Sequence, residues 1–288
     1  MKADLHTHTI CSDGLYTPIE LITNARLKGQ NIISITDHDN CNAYNNINAL
    51  KECGGDIKII AGTEMATTYN GVGIEILAYG FDIAIMKQKQ REYIPTNREQ
   101  QEFLFKKYME ILKSNGLQYD KETFVRPNDR VSSMFFNAIS GYESNSKYLE
   151  GATELGKFIR KCVFNPNSIF YVDYSSIMPS IESIIRFSSE AGALTFIAHG
   201  FKYEFDFTSE LNNIMNLSYN GKTLDGVEAI YTTFTEQQTF FLLEQARVHG
   251  YKVSGGSDCH GHDNEYTIGN KKIPDCHMTD WIKEIKGI

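Results

Sequence analysis

Five short motifs that mix imidazoles, carboxylates and small residues close apolar, β-branched runs along this chain: His6-Thr7-His8, Asp37-His38-Asp39, Gly62-Thr63-Glu64, Ala198-His199-Gly200 and Asp258-Cys259-His260. Imidazole nitrogens suit zinc, iron or manganese better than calcium or magnesium, and a mixed N/O set points to a transition metal. His6 and His8 stand two apart, so in extended backbone both rings project to one side and can grip one ion; Asp258 and His260 share that period, while Thr7 and Cys259 should point away. The set His6, His8, His38, Glu64, His199, Asp258 and His260 is too large for a single ion, and one carboxylate can bridge two. Two or three divalent ions held close together activate a bridging water and neutralise phosphate oxygens during in-line attack. The chemistry indicated is metal-assisted hydrolysis, with no serine or cysteine nucleophile required.

These motifs need a scaffold that gathers distant residues, and the order of elements supplies one. Lys2–Leu5, Asn31–Thr36, Ile57–Ala61, Val72–Tyr79, Ile169–Tyr174, Ala193–Ala198, Gly226–Tyr231 and Tyr251–Ser254 read as strands. Between them, Thr17-Pro18-Ile19-Glu20 and Thr235-x-x-Gln238 open helices through capping boxes, with further helices expected from about Asn40 to Cys53 and from Pro179 to Gly192. Such βα alternation predicts a parallel, barrel-like sheet, whose active site lies at the rim beyond the C-terminal ends of the strands. Most of the candidate ligands occupy such ends; Glu75 is an anomalous charge inside an apolar run. The rhythm changes between the two halves: Thr96-x-x-Glu99 opens a helix to Gly116, a loop follows around Arg126–Arg130, and weaker helices are expected near Val131–Ser140 and Gly151–Cys162. The organisation read from the sequence is a barrel from 1–82 and 168–288 with a helical insertion, 83–167, as a lid or substrate wall.

The chain has 288 residues, 41% of them hydrophobic, enough for one substantial core. Its formal net charge of −8 opposes a broad electrostatic grip on duplex nucleic acid or an anionic membrane, so a phosphate substrate needs local positive charge. The six cysteines include no C-x-x-C pair, and Asp4 and His6 interrupt any apolar stretch near the start; a cytoplasmic protein with reduced thiols and no signal peptide or membrane span is expected. The sequence leaves the oligomeric state open.

Taken together, His6-Thr7-His8, Ser12-Asp13-Gly14, Thr36-Asp37-His38-Asp39, Gly62-Thr63-Glu64, Ala198-His199 and Gly256-Ser257-Asp258-Cys259-His260-Gly261 resemble, in order and spacing, the PHP (polymerase and histidinol phosphatase) family. Within it the chain looks most similar to stand-alone bacterial phosphoesterases that act on nucleotides. The resemblance implies a distorted (β/α)7 TIM-like barrel with a trinuclear site of Mn, Fe or Zn. One ion would take His6, His8, Glu64 and Asp258; a second Glu64, His199 and position 75; a third Asp13, His38 and His260. Two departures stand out. The family usually places a histidine where this chain has Glu75, a change toward harder metals, and its A-H-P motif is Ala198-His199-Gly200 here.

Around this set, Asp37 and Asp39 read as supporting hydrogen-bond acceptors or turn residues, and Asp13 in its Ser-Asp-Gly turn could equally be explained by Asx-turn chemistry. Arg130 and Lys202 are candidate phosphate clamps, and His262 a candidate for reaching a phosphate or protonating a leaving alkoxide. Tyr203, Phe201 or Phe135 could stack on a base, although core packing accounts for most aromatics. His249 suits a helix C-terminus. The function expected is a metal-dependent phosphoesterase that uses a metal-bridged water to cleave a phosphomonoester of a nucleotide, nucleoside bisphosphate or short oligonucleotide. A histidinol-phosphate or other small-metabolite phosphatase is the alternative, and a non-catalytic metal- or phosphate-binding barrel the reading of a different class.

Overall fold

Ile- and Val-rich runs become strands here because β-branched side chains are stiff at χ1 and pack well on a pleated surface. A computed structural model describes residues 1–125, 130–163, 165–262 and 266–288, with the backbone alone at Arg160. In chain order it contains β1 (Ala3–Asp4), α1 (Pro18–Leu27), β2 (Ile32–Ile35), α2 (Ile47–Gly54), β3 (Lys58–Tyr69), β4 (Val72–Tyr79) and α3 (Ile83–Tyr93). Then come α4 (Asn97–Asn115), α5 (Val131–Ser140), α6 (Leu155–Phe158), α7 (Ile181–Glu190), β5 (Leu194–Ile197) and α8 (Phe207–Met215). The chain ends through β6 (Gly226–Tyr231), α9 (Glu236–His249), β7 (Lys252–Gly256) and α10 (Trp281–Glu284).

The strands hydrogen-bond in chain order, β1 to β7. The β1–β2, β2–β3, β5–β6 and β6–β7 pairs are parallel. The sheet nearly closes: Leu5 N–H donates to Gly255 O at 3.1 Å, Asp258 N–H to His6 O at 2.8 Å, and Thr7 bridges Cys259 in parallel. The fold is the α/β barrel expected, with local corrections. β4 runs antiparallel to β5, with Leu77 opposite Phe196. Only Asn70 (φ 49°) and Gly71 (φ 82°) connect β3 to β4, and a two-residue turn returns the chain beside itself rather than crossing over through a helix. A second correction concerns β3: it continues past Gly62-Thr63-Glu64 through the β-forming Thr67, Thr68 and Tyr69, so Glu64 sits inside a strand.

The helix expected from about Asn40 is split. A 3₁₀ turn, Asn42–Asn46, comes first, and α2 starts where the Asn46 side chain accepts from Ala49 N–H at 3.1 Å. Both barrel capping boxes form: Thr17 with Glu20 opens α1, and Thr235 with Gln238 opens α9, which ends at left-handed Gly250. Ala3, Leu5, Ile32, Ile60, Leu77, Tyr79, Phe196, Trp281 and Ile282 pack into one apolar cluster. It includes the first residues of β1 and β2 and the last of antiparallel β4, so it fills the end of the barrel opposite the ligand motifs.

The chain forms two compact units, one comprising Met1–Tyr69, Ile74–Glu92 and Pro179–Ile288, the other Asn70–Gly73 and Tyr93–Met178. In the second, the Thr96–Glu99 capping box opens α4 and left-handed Gly116 ends it. Tyr108 stacks on Phe135 with centroids 4.0 Å apart, and Phe158 and Phe170 meet each other edge-on at 5.2 Å. The strand expected at Ile169–Tyr174 does not form. Phe170 and Val172 are buried in this unit's aromatic core instead, and Tyr171 N–H turns back to Ser168 O at 3.2 Å. Arg126 to Asp129 of the expected loop lie outside the described residues.

Candidate metal centre

Each ligand motif is held by backbone contacts that its own sequence dictates. At the end of β1, buried Asp4 accepts from the backbone N–H groups of Ser257 (2.9 Å) and Gly269 (2.8 Å), tying the start of the chain to the loops after β7. His6 and His8 then project to one side, both fully buried. Thr7 points away, its hydroxyl donating to Ser34 O at 2.7 Å. Asp37 does not face the cluster: its carboxylate accepts from Thr9 N–H (2.7 Å), the Thr9 hydroxyl (2.6 Å) and the Ser12 hydroxyl (2.7 Å). These bonds fix the loop that delivers Asp13. Gly14 ends that loop because a Cβ would lie 2.5 Å from His8 O. Asp39, with φ 56°, accepts from Ala66 N–H at 2.9 Å and so locks His38 against β3.

Glu64 is the centre of the arrangement. Only 1% exposed, its Oε2 lies 3.1 Å from His6 Nε2, 3.3 Å from His8 Nε2 and 3.3 Å from His38 Nδ1, while Oε1 lies 2.9 Å from His199 Nε2. Glu75 reaches the same place from β4, with Oε2 3.2 Å from His199 Nε2 and Oε1 3.5 Å from His38 Nδ1. Asp258, with φ 56°, turns Oδ1 to within 3.2 Å of His8 Nε2 and 3.4 Å of His6 Nε2. His260 places Nε2 3.2 Å from Asp13 Oδ1, and Asp13 Oδ2 lies 3.7 Å from His38 Nε2. All nine residues singled out as ligands are thus brought together.

Donor atoms of eight of them fall into three overlapping groups, each within a 4.8 Å span: His6, His8, Glu64 and Asp258; His8, Asp13, His38 and His260; and His38, Glu64 and Glu75, with His199 adjoining Glu64 and Glu75. Ligand atoms about 2.0–2.2 Å from one ion lie up to about 4 Å apart, so these spacings fit metal coordination. A second observation supports that fit. His8 is fully buried, yet neither ring nitrogen makes a hydrogen bond, and His199 Nδ1 is likewise unpartnered. The 3.2–3.3 Å approaches of His8 Nε2 to two carboxylates are therefore close without being aligned as hydrogen bonds, as nitrogens and oxygens turned toward a common cation would be.

In the metal-free protein the charges partly balance one another. Burial alone would push His199 down, but the Glu64 and Glu75 carboxylates outweigh it and lift the ring to about 10. Burial likewise opposes protonation of His6, and Glu64, Glu228 and Asp258 raise it well above the ordinary histidine value. Burial favours the neutral acid at Asp13, yet His260 and His38 hold that carboxyl well below the usual range.

A cavity of about 280 Å³ adjoins the cluster, lined by Lys202, Asp258, His260, His262 and Tyr266. Lys202 Nζ lies 3.4 Å from Tyr266 Oη and 5.7 Å from the ring centres of Tyr231 and Tyr266. The structure brings Lys202 and His262 to Asp258 and His260 of the ligand set. Arg130 is a residue of the second unit, at the N-cap of α5. The three aromatics considered for base stacking have other partners. Phe135 is core of the second unit, Tyr203 Oη donates to Ala198 O at 3.0 Å, and Phe201 packs edge-on against Phe207 and Phe234. Gly200 also acquires a reason: a Cβ there would lie 2.1 Å from the Phe207 ring.

Sequence reasoning overlooked Glu228, which is buried in β6, accepts from His199 N–H at 2.8 Å and lies 2.9 Å from His6 Nδ1. A lone charge inside the apolar run Gly226–Tyr231 was the available signal. It also overlooked Tyr231, whose hydroxyl donates to Asp258 Oδ2 at 2.7 Å, and Asp4.

A barrel that gathers histidines and carboxylates from β3, β4 and the loops after β1, β2, β5 and β7 into one cluster presents several groups of side chains able to hold a metal ion. A PHP-domain family model matches residues 4–163, more than half of the chain. The chain belongs to the PHP family and, with it, to the metal-dependent phosphoesterases, hydrolases of phosphoester bonds. Among its relatives is a 5'-3' exoribonuclease of Haemophilus influenzae, 26% identical over 267 residues that cover 90% of each chain. Another is a 3',5'-nucleoside bisphosphate phosphatase of Chromobacterium violaceum, 23% identical over 89% of this chain and 86% of that one. Two solved structures share the fold. A Chromobacterium violaceum chain described as an amidohydrolase with bound sulfate gives a TM-score of 0.67 at 20% identity, covering 95% of this chain and 92% of the other. A Bifidobacterium adolescentis chain described as a candidate metal-dependent phosphoesterase gives 0.64 at 23%, covering 98% and 94%.

Proposed function

We propose that this phosphoesterase hydrolyses a phosphate ester on a small nucleotide-type substrate: a nucleotide, a nucleoside bisphosphate or the end of a short oligonucleotide. The observation that carries the reading is the cavity beside the cluster, where Lys202 and His262 face the same space as Asp258 and His260. His6, His8, Glu64 and Asp258 would hold one ion, Asp13, His38 and His260 a second, and Glu64, Glu75 and His199 a third. When bound, divalent transition metals, of the Mn, Fe or Zn kind, lower the pKa of water and neutralise phosphate oxygens.

The remaining work falls to the chain. Glu64 spans the groups and keeps their imidazoles converged. Lys202 adds positive charge at the cavity wall and can donate to a non-bridging phosphate oxygen. His262 lies on the cavity wall, where an imidazolium can protonate the leaving alkoxide. Tyr266 offers an aromatic face to a base. The two curated relatives act, by their names, on RNA and on nucleoside bisphosphates, which share a phosphate ester beside a nucleoside. A cavity of about 280 Å³ suits one such unit better than an extended strand or duplex.

The test measures metal content together with phosphate release from AMP, adenosine bisphosphate, a dinucleotide and histidinol phosphate, with and without chelator. The reading expects more than one transition-metal ion per chain and chelator-sensitive release from a nucleotide substrate. Full turnover in a metal-free sample, or activity confined to histidinol phosphate, would refute it.

A further inference from the structure

β6 contributes no side chain to the three ligand groups, yet two of its residues hold ligands in place. We propose that Glu228 and Tyr231 are positioning residues, one fixing the ring tautomer of His6 and the other selecting which oxygen of Asp258 faces the cluster, and that a bulge in β6 allows one strand to do both. The inference rests on the metal-centre reading above.

Residues three apart on a regular strand point to opposite faces of the sheet, because the side-chain period is two. Glu228 and Tyr231 are three apart, and both reach the cluster. The β6–β7 register explains how: Glu228 pairs with Ser254 but Ile230 with Gly255, so two steps along β6 answer one along β7. An extra residue of this kind re-aims the side chains that follow it. Gly255 accommodates the irregularity, since a Cβ there would lie 2.5 Å from Ile230 Cβ and 2.6 Å from Ile230 O.

The consequences are chemical. The Glu228 carboxylate can only accept, and its two oxygens meet His6 Nδ1 at 2.9 Å and the His199 backbone N–H at 2.8 Å. When Nε2 gives up its proton to bind an ion, the proton that His6 keeps therefore belongs on Nδ1, and the Nε2 lone pair faces the space beside Glu64 (3.1 Å) and Asp258 (3.4 Å). An amide at position 228 would set an N–H against one of those two donors. The Tyr231 hydroxyl occupies Asp258 Oδ2 at 2.7 Å and leaves Oδ1 for the cluster.

The experiment compares Glu228→Gln and Tyr231→Phe with the parent chain by competitive Zn²⁺ and Mn²⁺ titration against a chelator, alongside thermal melts of the metal-free proteins. Trp281→Phe, which removes the indole donor to Val253 O in the apolar end of the barrel, serves as the destabilised control. Each β6 variant is expected to bind metal about 10- to 100-fold more weakly, with the control unchanged in affinity however far its melting point falls. Tyr231→Phe adds no volume and leaves the backbone bonds of β6 intact, so it reports even where Glu228→Gln does not fold. Affinities within about twofold of the parent, or losses no larger than the control's, overturn the proposal. A parent chain that takes up no transition metal overturns the metal-centre reading as well.

Discussion

Metal-free protein should lose stability as pH rises from neutrality toward 10, opposite to the pH dependence of metal binding. The origin is His199, raised from 6.5 to about 10 because Glu64 and Glu75 outweigh its burial. Between those values the folded chain keeps a proton that the unfolded chain releases, so unfolding stability falls with pH. The contribution is fully present below 6.5 and gone above about 10. A separation of about 3.5 pH units at 1.36 kcal/mol each gives a ceiling of about 5 kcal/mol for this one ring, a large share of a typical domain's stability. Glu64→Gln removes one of the two carboxylates that raise the ring while conserving side-chain shape, so His199 should titrate nearer the ordinary histidine value and the slope should shrink. Urea denaturation in excess chelator from pH 6.5 to 9.5, with imidazole NMR resonances followed over the same range, measures both quantities. Metal affinity must move the other way, because ligands shed protons to bind. A metal-free chain whose stability is flat across that range, or an equal slope in Glu64→Gln, refutes the coupling of these imidazoles to Glu64.

Further expectations concern the site and its supports. Asp258→Asn should lower metal content per chain and reduce kcat/KM by about 100-fold or more, since Oδ1 approaches His6, His8 and His260; unchanged metal content by elemental analysis rejects Asp258 as a ligand. Lys202→Ala should cost about 1.5–3 kcal/mol of transition-state binding, roughly a 10- to 150-fold loss of kcat/KM, with metal content retained; steady-state kinetics on a nucleotide substrate decide it. Gly200→Ala should destabilise the fold by about 1–3 kcal/mol, because its Cβ falls 2.1 Å from the buried Phe207 ring; an unaltered melting curve would show that the ring yields freely.

Much of the site was legible before any coordinates. The i, i+2 spacing of His6 with His8 and Asp258 with His260 dictates which side chains share a face, and the capping boxes at Thr17, Thr96 and Thr235 form as written, because these are local properties of a few consecutive residues. Asp37 was read as support rather than ligand, but its partners Thr9 and Ser12, 25 to 28 residues away, became visible only in the fold. The reversal of β4 was signalled only by Asn70-Gly71, and the apolar alternation of Ile169–Tyr174 served an aromatic core instead of a strand. Alternation records that a residue will be buried, not against which partner.

The sequence by itself thus determined which imidazoles and carboxylates stand as candidate ligands, the capping-box helix starts and most of the βα rhythm, since these follow from side-chain chemistry, motif order and local backbone preference. The family resemblance already implied that Glu64 is shared and that position 75 joins the site; only the tertiary structure shows how β3 and the reversed β4 bring both there, and that Glu228 and Tyr231 brace His6 and Asp258. Those outcomes depend on the closure of the sheet, the direction of β4 and a one-residue register shift in β6, and all three are set by pairing between segments far apart in the chain.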